Sequence, residues 1–129
     1  MDFSQDLVRG SVVPIVLAML RDRSMYGYEM VKTVNARTNG LLEWKEGTLY
    51  PALHRLESAG LVSGHWEDAG RRVPGGKAAS GKDAESAEAG RQRKYYSITR
   101  KGRAELARRA QEWRLFSQAV SACVLGGLT

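Results

Sequence analysis

Apolar residues recur at helical spacing in four stretches of the chain, and polar and apolar residues alternate in two shorter stretches. The helical spacing predicts helices over residues 6–20, 26–38, 46–59 and 100–125. The alternation predicts strands over residues 61–67 and 93–99. Three helices, a two-stranded hairpin and a long final helix predict a mainly α (α+β) fold. This order is that of a winged helix-turn-helix with a long C-terminal dimerisation helix.

The third predicted helix has one apolar face and one polar face. Leu49, Leu53 and Leu56 follow at i, i+4 and i+7, which places them on one side. We expect Thr48 to cap its start and Gly60 to end it. The polar side chains then point away from the core and are available to a partner: Thr48, Tyr50, His54, Arg55 and Ser58.

The last predicted helix carries a seam of small and apolar side chains. Their 4-3-4-3-4 spacing is typical of a helix that packs against a partner helix. About 25 residues of helix would be nearly 40 Å long, so we expect it to extend beyond its own domain. The predicted dimerisation residues are Leu106, Ala110, Trp113, Val120 and Val124, with Ser117 also on the seam.

Residues 68–92 separate the two predicted strands and have a different composition. Between residues 69 and 90 there are five Gly and six Ala, and charges of both signs are balanced. Such a stretch buries too little apolar surface to offset its ordering entropy. We therefore predict a long flexible wing loop within a DNA-binding domain over 1–98, followed by the dimerisation helix over 99–129.

The net charge of +6 comes from one part of the chain. Residues 1–67 hold 7 Lys and Arg against 8 Asp and Glu, whereas residues 91–129 hold 9 against 2. A local basic block indicates a nucleic-acid binder. A basic surface that merely aids solubility would have the same composition, so charge alone leaves both interpretations open.

The residue types argue against several classes of protein. One cysteine, Cys123, allows no intrachain disulfide, and two histidines offer no metal-ligand spacing. No nucleophile lies beside an evident base, so we expect neither an enzyme nor a cofactor or metal. The acidic N-terminus lacks the features of a secretion signal, and the apolar run Val12–Leu20 is too short to span a bilayer. These features favour a cytoplasmic protein without a membrane partner.

Three short motifs resemble those of the PadR-type transcriptional regulators. Gly47–Leu53, with Arg55–Glu57 and Gly60–Leu61 behind it, resembles the recognition-helix motif. Tyr26–Met30 resembles a second motif, and Arg93–Tyr96 with Thr99 and Gly102 resembles a third. The three occur in the order found in the family and cover most of the chain.

The resemblance implies that the third helix enters the major groove of double-stranded DNA. Tyr28 and Tyr50 have an alternative role in packing against the core or the hairpin. The long wing loop departs from the family pattern, in which the hairpin tip is short. The predicted DNA-binding residues are Tyr26, Tyr28, Lys32, Thr48, Tyr50, His54, Arg55, Arg91, Arg93 and Lys94.

The resemblance also implies a site for a planar aromatic effector between two subunits. An aromatic residue of the last helix lines such a cavity in some short members, and stacking on Trp suits a flat molecule. The alternative is that Trp113 simply fills the dimer core. The predicted ligand-binding residues are Val13, Pro14, Trp113, Phe116 and Ser117.

Together these features predict a homodimeric repressor that binds a pseudo-palindromic operator and responds to an aromatic effector. Two alternatives belong to other classes. One is a protein–protein adaptor that uses its last helix, and the other is a small-molecule sensor with weak affinity for DNA.

Overall fold

Four helices and three strands make up the residues described by the computed structural model, which are 3–68 and 92–126. The mainly helical class predicted from the sequence is confirmed. Of the predicted wing loop, Asp68 and Gln92 are strand ends, and residues 69–91 lie outside the described residues. In chain order the elements are α1 (Gln5–Asp22), β1 (Met25–Tyr26), α2 (Gly27–Arg37), α3 (Glu46–Ser58), β2 (Val62–Asp68), β3 (Gln92–Ile98) and α4 (Arg100–Val124).

The small sheet is antiparallel and has the order β1-β3-β2. Strand β3 pairs on one side with β2, where Val62 lies opposite Ile98, and on the other with β1, where Met25 lies opposite Tyr96. The sequence predicted a helix from residue 26 and no strand where β1 lies, and this was wrong. Two residues are too few to show an alternating period, so only the pairing with a distant strand reveals β1.

The start of α4 agrees with the prediction from the sequence, whereas the N-cap of α3 and the start of α2 differ from it. The Thr99 hydroxyl accepts a hydrogen bond of 2.9 Å from the Gly102 amide, which confirms the predicted start of α4. The cap predicted at Thr48 was wrong, because the N-cap of α3 is Lys45, three residues earlier. Helix α2 begins after Tyr26, whose amide donates to the Glu29 carboxylate at 3.1 Å.

The core lies where α1, α2 and α3 meet one face of the sheet. The three leucines of α3 are buried, as predicted from their spacing: Leu49, Leu53 and Leu56. Trp44, which precedes α3, is only 4% exposed and anchors the α2–α3 segment to this core. The first turns of α4 also belong to it, because Leu106 is 7% exposed and packs in the same cluster.

Two glycines let elements approach each other closely. A Cβ at Gly27 would collide with the Tyr50 hydroxyl, so the start of α2 lies directly against α3. A Cβ at Gly102 would collide with the backbone carbonyl of Leu61, so α4 starts in contact with the entry to β2.

The second half of α4 projects away from this core. Its larger apolar side chains are exposed in the single chain, between 41% for Val120 and 74% for Val124. Among the described residues, no helix combines the length and apolar character needed to cross a bilayer.

Candidate nucleic-acid interface

The outer face of α3 presents two exposed side chains that can donate hydrogen bonds to a nucleic acid. His54 and Arg55 follow each other on the face opposite the buried leucines. In the part of the chain that the structure describes, Arg55 forms no ion pair. Thr48, one to two turns earlier, is half-buried. An exposed arginine on a helix surface is suited to phosphate or base-edge contacts.

Tyr50 combines a packing role with partial exposure. Its side chain contacts Gly27 of α2, yet the residue remains 39% exposed. Burial raises the pKa of the Tyr50 phenol, and the nearby Glu46 carboxylate and Tyr96 raise it further. The hydroxyl therefore stays protonated near neutral pH and can donate to a phosphate.

At the base of the wing, Lys94 forms an ion pair with a side chain of α3. Its ammonium donates to the Glu57 carboxylate of α3 at 3.1 Å and lies 5.4 Å from the ring centre of Tyr96. The hydrogen bond to Glu57 is the main reason that the pKa of Lys94 is raised. The predicted DNA-contacting lysine thus links β3 to α3 in the free protein.

The opposite face of the sheet carries a row of stacked side chains. The guanidinium of Arg93 lies 4.3 Å from the ring centre of Tyr26, and the Tyr26 ring meets Tyr95 edge to face at 5.3 Å. His65 stacks on Tyr95 at 6.2 Å and contacts the Glu67 carboxylate at 3.0 Å. Tyr26 and Arg93, both predicted DNA contacts, are therefore also structural partners of each other.

The remaining predicted DNA contacts lie apart from this row. Tyr28 and Lys32 are neighbours on the exposed side of α2, with the ammonium 5.2 Å from the ring centre. Arg91 lies outside the described residues.

Most of the basic side chains that the structure describes between residues 92 and 126 already bind partners within the chain. Besides Lys94, Lys101 donates to the Ala59 carbonyl at 3.0 Å, and Arg108 and Arg109 both bind Glu105. In the described residues Arg100 and Arg103 are exposed and have no ionic partner. The count of basic residues therefore overstates the positive charge that is free to meet a phosphate.

Comparisons with known proteins are consistent with this arrangement. The chain matches the Transcriptional regulator PadR-like family over residues 16–75. A PadR family transcription regulator from Clostridium difficile R20291 is 31% identical, with a TM-score of 0.63 over 90% of this chain and 99% of that one. The chain belongs to the PadR-like family of transcriptional regulators.

Two further relatives of this PadR-like protein span nearly all of its length. A transcriptional regulator from Clostridium thermocellum is 28% identical, with a TM-score of 0.72 over 95% of this chain and 99% of that one. An uncharacterised protein of Lysinibacillus sphaericus is 32% identical over 108 residues, which is 84% of this chain and 83% of that protein. Membership makes this chain a DNA-binding regulator of transcription rather than an enzyme.

The predicted effector and dimerisation residues of the PadR-like protein fall into two groups. Val13 and Pro14 are half-buried on α1, which packs against α4. Trp113 is 50% exposed and Phe116 60% exposed, while the Ser117 hydroxyl donates to the Arg114 carbonyl at 3.2 Å. Ala110 is exposed as well, whereas Leu106 lies in the core of its own chain and has little surface left for a second copy.

Reasoning from the sequence missed two residues that shape this interface. Glu57 was not singled out as a functional residue, because the sequence does not show that it pairs with Lys94 on β3. Trp44 was not singled out either, and its buried indole nitrogen has no hydrogen-bond partner among the described residues. Neither role leaves a local pattern in the sequence.

Proposed function

We propose that this PadR-like protein represses transcription as a homodimer on a pseudo-palindromic operator, with α3 of each subunit in the major groove. The observation that carries the proposal is the polar face of α3, where His54 and Arg55 are exposed while the leucines behind them are buried. A recognition helix usually packs on the protein core with one face and leaves the opposite face exposed to DNA.

The contacts at the two ends of α3 support roles for the neighbouring elements. Tyr50 lies against the start of α2, so Tyr28 and Lys32 on α2 are carried on the same rigid unit. Lys94 and Arg93 at the base of the wing would meet the adjacent backbone or minor groove. Arg55, which lies on α3 itself and has no ionic partner among the described residues, is expected to make the strongest contact.

The dimer in this proposal forms through the second half of α4. Trp113, Phe116, Val120 and Val124 are exposed in the single chain although they are apolar. A contiguous apolar stripe of this kind marks an interaction site. A symmetric dimer would bury the stripe against its own copy and give two recognition helices related by a two-fold axis.

The effector in this proposal is a small planar aromatic molecule that stacks on Trp113 and Phe116 beside α1. It would release the repressor by favouring a dimer geometry in which the two copies of α3 no longer match the operator. A planar aromatic compound should then quench Trp113 fluorescence and weaken operator binding together. Quenching without a change in operator affinity would contradict this part of the proposal.

Fluorescence anisotropy across a salt series tests the operator proposal. The duplex is taken from upstream of the protein's own gene and compared with a scrambled duplex of the same composition. We expect tighter binding to the native duplex and a steep loss of affinity with salt, because each phosphate contact releases counterions. Equal weak binding to both would contradict operator binding at that site and favour the adaptor role for α4.

The contribution of α3 is tested by Arg55→Ala, with Arg103→Ala as the matched control. Both arginines are exposed and unpaired among the described residues, but only Arg55 lies on α3. We expect Arg55→Ala to weaken operator binding at least tenfold, as loss of a base or phosphate contact does. Equal effects of the two substitutions would contradict the groove assignment.

A further inference from the structure

One tryptophan at the base of the wing is exposed and has no part in the core. Trp66 lies on β2 and is 61% exposed, whereas Trp44 is 4% exposed and Trp113 50% exposed. Exposure alone assigns no function, because single apolar side chains are common on protein surfaces. The position of Trp66 in the fold decides what its ring can meet.

The strand register places Trp66 on the face of the sheet that α3 covers. Val62, Gly64 and Trp66 share one side of β2, because side chains alternate along a strand. Val62 is 2% exposed and packs in the core. Gly64 lies beneath α3, since a Cβ there would be 3.0 Å from a carboxylate oxygen of Glu57. Trp66 follows on the same face, about 7 Å farther along the strand, where its ring is exposed.

The residue directly opposite Trp66 in the paired strand is Lys94. Opposite residues of an antiparallel pair have side chains on the same face, with Cβ atoms about 5 Å apart. The Lys94 ammonium in turn binds the Glu57 carboxylate of α3 at 3.1 Å. Trp66 and Lys94 therefore form one continuous surface with the second half of α3, where His54 is exposed one turn before Glu57.

An indole beside an ammonium matches the chemistry of a DNA backbone. The deoxyribose wall of the minor groove is apolar and the phosphates beside it are anionic, so the ring and the cation each meet a suitable partner. The indole N–H can also donate to an acceptor on a base edge. Of the acidic side chains on this face, Glu57 is paired with Lys94, and Asp68 lies farther from α3.

We propose that Trp66 contacts DNA in the minor groove next to the major-groove site of α3. Its ring acts as an apolar wedge against deoxyribose and base edges. It thereby adds affinity that does not depend on neutralising a phosphate. This inference rests on the proposed operator binding and extends it, because the DNA contacts predicted from the sequence do not include Trp66.

A second copy of this chain suits Trp66 less well as a partner. Its described neighbours on this face are Gly64, Asp68 and Lys94, which are small or charged. The core of a protein interface is apolar and depleted of charged residues. The second half of α4 has that character, because its large apolar side chains are exposed together.

Anisotropy titrations of the full chain with the native upstream duplex, across a salt series, test the proposal. Trp66→Ala should weaken binding by about fivefold or more, as loss of an aromatic contact with nucleic acid does. The salt slope should stay the same, because the indole releases no counterion. Lys94→Ala should instead lower the slope by about one. Ser63→Ala is the matched control, since Ser63 is exposed on the other face of β2, and it should leave binding unchanged.

Fluorine NMR of the chain labelled with 5-fluorotryptophan detects the contact directly. The protein has three Trp, and Trp66→Phe assigns the resonance of Trp66. We expect this resonance to shift on saturation with the native duplex, while that of the buried Trp44 stays in place.

Two results would overturn this inference and leave operator binding intact. One is native-duplex binding by Trp66→Ala that equals that of the unchanged protein, together with a Trp66 resonance that does not move. The other is a lower salt slope in Trp66→Ala, because the ring would then act only by positioning Lys94. A Trp66 resonance that shifts on diluting the protein without DNA would overturn it in favour of a second copy. Equal binding of native and scrambled duplexes by the unchanged protein would contradict the proposed function itself, and this inference with it.

Discussion

Single residues decide how closely the helices of this protein approach the sheet. Gly27 and Gly102 each lie where a side chain would collide with a neighbouring element. The neighbour at Gly27 is a tyrosine side chain, which can move, whereas the neighbour at Gly102 is the backbone of Leu61. The second contact is therefore the less tolerant of the two.

Gly102→Ala should destabilise the fold by about 3 kcal/mol, because backbone must shift to admit the new methyl group. Gly10→Ala is the matched control, since Gly10 also lies inside a helix but has open space around it. We expect Gly10→Ala to stabilise the protein by about 0.5–1 kcal/mol through helix propensity. Urea unfolding followed by circular dichroism measures both, and similar changes in the two midpoints would contradict the assignment.

At the scale of elements, an ion pair between Glu57 and Lys94 links α3 to the wing strand β3. The sequence could not indicate it, because 37 residues separate the partners. The pair is partly exposed, so it contributes little stability by itself. Because the pair lies beside the proposed DNA surface, we expect it to affect operator binding more than stability.

Glu57→Gln should tighten operator binding about two- to fivefold, because it removes a negative charge near the phosphates and releases the Lys94 ammonium. Lys94→Ala should weaken binding and lower the salt slope by about one. Anisotropy titrations at several salt concentrations measure both. If Glu57→Gln instead weakens binding, the pair serves only to position α3.

Helix α4 should be sensitive to acid through Glu105. Hydrogen bonds from Arg108 and then Arg109 lower the pKa of the Glu105 carboxyl from 4.5 to about 2. A lowered pKa in the folded state stabilises the fold above pH 4.5, and this contribution is lost as the pH falls toward 2.

Thermal unfolding between pH 7 and pH 2.5 tests this expectation. Glu105→Gln should lower the melting temperature at pH 7, and its difference from the unchanged protein should shrink below pH 4.5. Glu112→Gln, which removes a longer contact of 3.7 Å to Arg108, should have a smaller effect. A difference that does not vary with pH would contradict the ion-pair origin.

At the scale of the whole molecule, the exposed apolar half of α4 carries the proposed dimer interface. Val120→Glu should convert the proposed dimer to a monomer without loss of helix, because it places a charge in the middle of the stripe. Gln118→Glu adds the same charge to an exposed position off the predicted seam and should leave the dimer intact. Light scattering measures the mass, and a Val120→Glu dimer would contradict the proposed interface.

Local patterns in the sequence were sufficient to predict the four helices and the two longer strands. The periodicity of Leu49, Leu53 and Leu56 predicted both the helix and its buried face, since burial of one side imposes the spacing. The Thr99 cap was equally local, because donor and acceptor lie three residues apart. The cap at Thr48 failed because the Thr48 amide itself donates to the Lys45 carbonyl at 2.9 Å, which places Thr48 inside the first turn of α3.

The sequence by itself determined the mainly helical class, the order of the four helices and the two longer strands, and the face of α3 that packs on the core. These features depend on residues that are close together in the sequence, so hydrophobic periodicity indicates them. Only the tertiary structure decided that β1 completes the sheet, that Glu57 pairs with Lys94, and that Lys101 donates to the Ala59 carbonyl. Most of those contacts join residues far apart in sequence, and such pairing leaves no local pattern to read.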